Sequence, residues 1–148
     1  MGDKELAKQC RDTMYAADEA VRALEISVEV SDVGQAEATF SIRPEMLNGH
    51  DVCHGGYLFT LADTAFAYAC NSYNRVTLAA GASIEFLRPV RLAERIVATA
   101  RERHRGGRTG IYDVVLVNQA GEEVALFRGR SHSTREVLIS NDTLKIEK

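Results

Sequence analysis

Hydrophobic positions recur with two different periods along the chain, and the first of these is helical. Over residues 4–24, apolar side chains fall every three or four positions, which places them on one stripe of an amphipathic helix. The stripe consists of Leu6, Cys10, Met14, Ala17, Val21 and Leu24. Apolar and polar residues then alternate through 26–30 and 36–42, on either side of a turn at 32–35. Two alternating runs joined by a glycine-containing turn predict a β-hairpin.

The rest of the chain returns to this alternation after one long apolar segment. Residues 43–55 follow neither period and are predicted to form a loop, whereas 56–71 are predicted to form a helix that is apolar on nearly every side. Strands are predicted at about 77–88, 95–103, 110–118 and 123–132. The polar residues 134–148 that follow are either a frayed tail or a short added segment. Because strands outnumber crossover helices, the pattern favours an α+β fold with a mostly antiparallel sheet. That sheet, or a second subunit, must cover the apolar helix.

Composition narrows the class of protein. The chain has 148 residues, which is typical of one domain, so we expect 1–148 to fold as a single unit. It is 45% hydrophobic and 26% charged, which excludes a disordered tail or a coiled-coil rod. The net charge of −3 shows no basic excess, and no apolar run has the length of a membrane span, so we expect neither nucleic acid nor a membrane as partner. Three cysteines without a CxxC pair indicate a reducing, cytoplasmic setting.

Asp63 carries the strongest chemical signal in the sequence. It is the only charged residue between Gly55 and Ser72, in the middle of the apolar helix. Burying a carboxylate without a partner is costly, so a helix of this kind seldom keeps one without a use for it. One interpretation is a general base or a nucleophile. The other is an aspartate at a wet edge of the helix, or one satisfied by the hydroxyl of Thr60 or Thr64.

The segment His54-Gly55-Gly56 immediately precedes this helix. Glycines let a substrate approach the backbone, and a helix N-terminus presents free N–H groups and a positive dipole end, so the segment can form an oxyanion hole. The alternative is a turn that only needs glycines.

Gly56 and Asp63 lie on the same helix face but about 10 Å apart along the axis. If both are catalytic, the site lies between two subunits, and a twofold dimer carries two equivalent sites.

Other polar residues give weaker signals. Asn48 is either a simple Asn-Gly turn residue or an amide that holds a water or a substrate oxygen. The group His50, Cys53 and His54 lacks a fourth ligand, so we expect no metal site. A local excess of arginines lies between 88 and 108, and these side chains are either solvated or in contact with substrate phosphates.

Residues 47–71 have the sequence LNGHDVCHGGYLFTLADTAFAYACN, followed by IEFLRPV at 84–90, TGIYDV at 109–114 and VALFRGRSH at 124–132. These segments resemble the hotdog-fold thioesterases, and more narrowly the PaaI subfamily of phenylacetate degradation. The resemblance covers about residues 20–133. It implies the hotdog fold, in which an antiparallel sheet wraps around one long helix. It also implies a homodimer with active sites at its interface, and usually a homotetramer.

The resemblance implies a role for each candidate residue. Asp63 is similar to the family's catalytic carboxylate, which either activates water or attacks the thioester itself. Gly55 resembles the N–H donor to the thioester oxygen, Asn48 a polar group near it, and His54 the residue that orients that group. The resemblance also implies contacts to the substrate or its CoA moiety, from Gly56, Thr64, Ser83, Arg88 and Arg108.

The reaction implied is hydrolysis of an acyl-CoA thioester to free acid and CoA. Phenylacetyl-CoA or a ring-hydroxylated form of it is the expected substrate, with no cofactor, because CoA arrives as part of the substrate. Two alternatives stay open. A hotdog hydratase or dehydratase needs a second catalytic acid, and none is evident in the sequence. A non-catalytic acyl-CoA-binding sensor has no need of Asp63.

Overall fold

A six-stranded antiparallel sheet packed on one long helix forms the centre of the molecule. The computed structural model describes residues 1–140. Its helices are α1 (Asp3–Ala17), α2 (Glu19–Ala23) and α3 (Gly55–Cys70), with a short 3-10 helix at Pro44–Met46. Its strands are β1 (Ser27–Asp32), β2 (Gln35–Ser41), β3 (Thr77–Phe86), β4 (Arg95–Gly106), β5 (Thr109–Val117) and β6 (Glu123–Ser133). Among these helices, none has the length and apolar character needed to cross a lipid bilayer.

The strands lie in the order β1-β2-β4-β5-β6-β3, and every neighbouring pair is antiparallel. Strand β5 alternates buried and part-exposed residues, as expected for a sheet with one face on the core. Small side chains on the inner face of β2 and β4 let α3 lie close to the sheet, and these are Ala36, Ala38, Ala98 and Ala100. The α+β hotdog architecture implied by the sequence is therefore confirmed.

Strand β3 differs from the other strands. It pairs with β6 on one side, and its other edge has no partner in residues 1–140. Nearly all of its residues are exposed, and Leu78 and Phe86 are 58% and 52% accessible. A long, exposed strand edge with apolar side chains is a ready template for pairing with another chain.

The single helix predicted for residues 4–24 is wrong in one respect, because the structure breaks it at Asp18. This residue leaves the helical conformation, with φ −88° and ψ 92°. Its Oδ1 accepts a hydrogen bond from the N–H of Val21 at 3.2 Å and so caps α2. Its Oδ2 accepts one from the Tyr68 hydroxyl of α3 at 3.1 Å. The apolar stripe continues across the break, so periodicity alone did not reveal it.

Of the two alternatives for 134–148, a frayed tail or a short added segment, the first residues fit the added segment. Residue Thr134 donates its N–H to the Val76 carbonyl at 2.9 Å, and Val76 donates to Glu136 at 2.9 Å. The side chain of Asn74 bonds both backbone groups of Ile139, at 2.9 and 3.0 Å. Ile139 is buried, so this segment packs against the loop before β3. The remainder of the predicted tail, 141–148, lies outside the described residues.

Candidate active site

Helix α3 presents one narrow polar face away from the sheet. Most of its side chains are buried, including Leu61, Ala65 and Phe66, which contact the core. Gly56 and Asp63 remain partly or fully exposed on the opposite side. This agrees with the helical spacing, which predicted a shared face for the two residues.

The Asp63 carboxylate has no hydrogen-bond or ion-pair partner within residues 1–140, although it is only partly exposed. Its neighbours on the helix are occupied elsewhere. The Thr60 hydroxyl donates to the Gly56 carbonyl at 2.9 Å, and the Thr64 hydroxyl donates to the Thr60 carbonyl at 2.7 Å. Desolvation by burial raises the pKa of the Asp63 carboxyl above its ordinary value. The structure therefore leaves a basic, unpaired carboxylate, and not one satisfied by threonine hydroxyls.

The N-terminus of α3 is open. His54 is the N-cap residue, and its side chain makes no capping hydrogen bond. Among the described residues, no group accepts a hydrogen bond from the N–H of Gly55 or Gly56, and the first turn contains no acidic residue. Free N–H groups and the positive end of the helix dipole thus point to the same place. This arrangement can hold a developing negative charge on a carbonyl oxygen.

Phe86, at the end of β3, packs directly against this N-terminus. A Cβ atom added at Gly55 would lie 2.6 Å from Cζ of the Phe86 ring, so any larger residue here requires the ring to move. The two residues line a groove of about 400 Å³ together with Leu58 and Val90. Sequence reasoning did not single out Phe86. Its inward position follows from strand alternation, but only the tertiary structure shows what the ring meets.

Asn48 and His54 belong to the same tight loop before α3. The loop is closed by backbone bonds from Asn48 to Val52 at 2.8 Å and from His54 to Met46 at 2.8 Å. The Asn48 Oδ1 accepts from the N–H of His50 at 2.8 Å, so this oxygen is committed to the loop. Its Nδ2 has no partner in the described chain and can donate to a substrate. No hydrogen bond joins Asn48 to the His54 ring in this structure.

Ser83 is not brought to this site within one chain. Ile84 pairs with the buried Phe127, so Ile84 and Phe86 face inward and Ser83 faces outward. Ser83 lines a separate groove on the outer face of the sheet, beside Asp113 and Arg128. Within one subunit, Ser83 therefore does not reach the groove at Gly55, and its expected contact to the substrate is not formed there.

The two candidate arginines lie at opposite ends of β3. Arg88 borders the groove at Gly55, and its guanidinium pairs with the Glu122 carboxylate. Arg108 is exposed in the turn between β4 and β5, and its carbonyl accepts from Ser133 at 2.7 Å, near the start of β3. A single chain therefore does not bring the two arginines together.

Asp63 and Gly55 are likewise separated within one chain. They are eight positions apart on the same straight helix, which corresponds to about 12 Å. A carbonyl bound at Gly55 is thus out of reach of Asp63 in the same chain.

Within residues 1–140, no group of three His, Cys, Asp or Glu side chains has an arrangement that could hold a metal ion.

Comparisons with known proteins identify the family of this chain. The family model of the Thioesterase superfamily matches residues 50–125. The acyl-coenzyme A thioesterase PaaI of Escherichia coli is 50% identical over 119 residues, which cover 80% of this chain and 85% of that protein. The structure of the E. coli PaaI protein from the phenylacetic acid degradation operon superimposes with a TM-score of 0.90 and 46% identity, over 92% of this chain and 99% of that one.

A second similar structure contains a CoA thioester. The protein smu.793 of Streptococcus mutans, bound to acetyl CoA, has a TM-score of 0.72 and 26% identity, covering 76% of this chain and 90% of that chain. The matched family segment includes the open helix N-terminus and the unpaired Asp63. On this combination of family match, fold and site geometry, the chain belongs to the thioesterase superfamily and is a hotdog-fold thioester hydrolase.

Proposed function

We propose that the protein hydrolyses acyl-CoA thioesters and prefers phenylacetyl-CoA or a ring-hydroxylated form of it, in phenylacetate catabolism. The observation that carries the hydrolysis is the unpaired Asp63 carboxylate on the same helix face as an uncapped N-terminus. The similarity to a thioesterase from a phenylacetic acid degradation operon supports the acyl group. An aromatic side chain also lies one helical turn before Asp63. It is Phe59, whose ring packs edge-to-face on Phe127 at 5.3 Å.

The active form in this proposal is a homodimer. The two surfaces that meet in this dimer are the unpaired edge of β3 and the face of α3 that exposes Gly56 and Asp63. A twofold axis beside β3 would pair β3 with its copy and bring the two α3 helices together in opposite directions. Asp63 of one copy then faces Gly55 of the other, and Arg108 of one copy approaches the end of β3 that carries Arg88 in the other. Two dimers can associate into a homotetramer through apolar side chains such as Leu126, which is 40% exposed on the outer face of the sheet.

The mechanism follows from these positions. The thioester oxygen accepts a hydrogen bond from the Gly55 N–H, and the helix dipole stabilises its developing charge. Asp63 of the second copy takes a proton from a water molecule, and the water oxygen attacks the carbonyl carbon. The tetrahedral oxyanion collapses, the carbon–sulfur bond breaks, and the thiolate of CoA receives the proton from Asp63. The raised pKa of this carboxyl makes it a stronger base than an exposed aspartate.

A nucleophilic role is the alternative for the same residue. Asp63 would then attack the carbonyl carbon and expel the thiolate, which leaves a mixed anhydride that water hydrolyses. Hydrolysis in ¹⁸O-labelled water under single-turnover conditions can reveal the anhydride route. Label in the protein carboxyl after turnover shows an anhydride that water opens at the Asp63 carbonyl, whereas label in the product acid alone is the result of either the general base or an anhydride opened at the acyl carbonyl.

The first test is release of free thiol from a panel of acyl-CoAs. The panel contains phenylacetyl-CoA, its hydroxylated forms, fatty acyl-CoAs and crotonyl-CoA. Asp63→Asn should lower kcat by about 10²- to 10⁴-fold, the usual contribution of a general base, while the fold is retained. Asp12→Asn, which alters an exposed carboxylate on α1, serves as the matched control and should remain active. Thiol release by Asp63→Asn at the wild-type rate would refute the assignment, and hydration of crotonyl-CoA without thiol release would favour the hydratase.

The shared site has a test of its own, which uses mixed dimers. Gly55→Pro removes the proposed N–H donor at the first helical position, where proline is accepted, and Gly55→Ala adds a Cβ but keeps the donor. Dimers formed from Asp63→Asn and Gly55→Pro subunits contain one intact site if each site uses both chains. Refolding the two inactive variants together should therefore restore activity. If mixed dimers form and stay inactive, the site lies within one chain.

A further inference from the structure

The groove at the N-terminus of α3 extends from Gly55 to Arg88. Apart from these two residues it is lined by apolar or weakly polar side chains, namely Val52, Cys53, Leu58, Phe86, Leu87, Pro89 and Val90. Arg88 is the one charged residue in this lining. It lies two positions beyond Phe86, about 7 Å further along the chain, and its long side chain extends the distance from Gly55. A thioester bound at Gly55 can thus lay an apolar arm in the groove and end beside a guanidinium.

Arg88 is held in place by the turn between β5 and β6. Its Nε donates to the carbonyl of Glu123 at 3.2 Å, and its Nη1 pairs with the carboxylate of Glu122. The second oxygen of that carboxylate accepts from Nδ2 of Asn118 at 3.1 Å, so the turn aims Glu122 at the guanidinium. Arg88 and Glu122 are each about half exposed, at 47% and 48%. Within residues 1–140, Nη2 of Arg88 has no partner.

The Arg88 guanidinium could bind a phosphate, but in this structure the Glu122 carboxylate takes the place of that anion. Guanidinium groups bind phosphate and carboxylate oxygens with the same forked geometry. A phosphate that approaches Nη2 meets the negative charge of Glu122 on the adjacent nitrogen. The phosphate must therefore displace this carboxylate or bind against its repulsion.

We propose that Glu122 and Arg88 form an exchangeable ion pair that selects thioesters carrying the nucleotide phosphates of CoA, with the pantetheine arm lying in the groove. This inference rests on the proposed function. Glu122 occupies the guanidinium in the free enzyme and weakens the binding of every phosphate-bearing substrate. A thioester without phosphate gains nothing from Arg88 and is not affected by Glu122. Glu122 is thus a specificity-determining residue that does not touch the reacting atoms.

The test compares the same acyl group on CoA, on 3′-dephospho-CoA and on pantetheine. Steady-state kinetics are measured for wild type, Glu122→Gln, Arg88→Gln and the double variant. Glu123→Gln is the matched control, because it removes an equal charge one position away while the backbone carbonyl that Arg88 uses remains. Glu122→Gln should lower the KM for acyl-CoA about two- to fivefold, the range of an exposed charge pair, and leave the KM for acyl-pantetheine unchanged. Arg88→Gln should raise the KM for acyl-CoA and abolish the effect of Glu122→Gln.

Three results would overturn the inference. The first is an equal effect of Glu122→Gln and Glu123→Gln, which would indicate only a change in overall charge. The second is an equal effect of Glu122→Gln on acyl-CoA and acyl-pantetheine. The third is a higher KM for acyl-CoA in Glu122→Gln, which would make Glu122 a support for Arg88 and not its competitor. Failure of the proposed function looks different, because the wild type would then release no thiol from any of the three substrates.

Discussion

Two glycines of this protein, Gly129 and Gly55, lie directly beneath aromatic rings, and substituting them with alanine should change the stability by different amounts. A Cβ added at Gly129 of β6 would lie 2.8 Å from two atoms of the Phe66 ring, and one added at Gly55 would lie 2.6 Å from Phe86. The overlaps are similar, but the freedom of the rings differs. Phe66 is 1% exposed and packs against the rings of Tyr112 and Phe127, whereas Phe86 is 52% exposed. The first ring is confined by the core, and the second has open space beside it within the subunit.

The magnitudes follow from this difference. Forcing an extra methyl group into a packed core costs about 1–3 kcal/mol, and replacing glycine with alanine returns about 0.4–1 kcal/mol through the unfolded chain. Neither glycine has a positive φ, so alanine causes no backbone strain at either position. Gly129→Ala should therefore lose about 1–2 kcal/mol. At Gly55 the cost is a shifted Phe86 rotamer, about 0.5–1.5 kcal/mol, so the net change should be close to zero.

Urea denaturation at one protein concentration measures both changes. With an m-value of about 2 kcal/mol/M, Gly129→Ala should lower the midpoint by about 0.5–1 M, and Gly55→Ala should leave it nearly unchanged. The double variant Gly55→Ala/Phe86→Ala separates the ring from the backbone, because it removes the overlap at this site. Equal destabilisation by the two single glycine variants would refute the argument, since burial of the neighbouring ring would then not determine the cost.

Three further predictions concern individual polar groups. Asp63→Asn should raise the free energy of unfolding at neutral pH, because burial raises the pKa of this carboxyl in the folded state and penalises its charged form. The gain in stability should disappear as the pH falls through that pKa. Urea titrations that give the same gain at every pH would contradict this prediction. Asp18→Ala should lower the free energy of unfolding by about 2 kcal/mol and Tyr68→Phe by about half of that, because Asp18 caps α2 in addition to binding the Tyr68 hydroxyl. Equal losses of thermal stability in the two variants would show that the cap contributes nothing. Asn71→Ala should lower the free energy of unfolding by about 3 kcal/mol, because the buried Asn71 amide bonds both backbone groups of Thr77 at 2.9 and 3.0 Å. A loss under about 1 kcal/mol in chemical denaturation would disprove this role.

Local periodicity was sufficient to locate most of the elements. The helical spacing around Asp63 and the alternation in the strands are properties of a few neighbouring residues, so they can be read without the fold. The spacing also placed Gly56 and Asp63 on one face, and the separation along the axis already required a second subunit for a shared site. The break at Asp18 was missed because its cause is partly tertiary. The Tyr68 hydroxyl that binds its carboxylate is 50 positions away.

Only the tertiary structure showed which side chains of the site have partners and which way they face. Asp63 was conspicuous in the sequence, but the threonine hydroxyls beside it had to be located before its carboxylate was known to be unpaired. Sequence resemblance assigned Ser83 to the site, whereas the pairing of β3 with β6 turns it to the outer face. The contact of Phe86 with Gly55 and the pairing of Arg88 with Glu122 join residues about 30 positions apart. Such contacts depend on how the strands and α3 pack against each other. The hydrophobic pattern of the sequence does not show which distant residues come together in the fold.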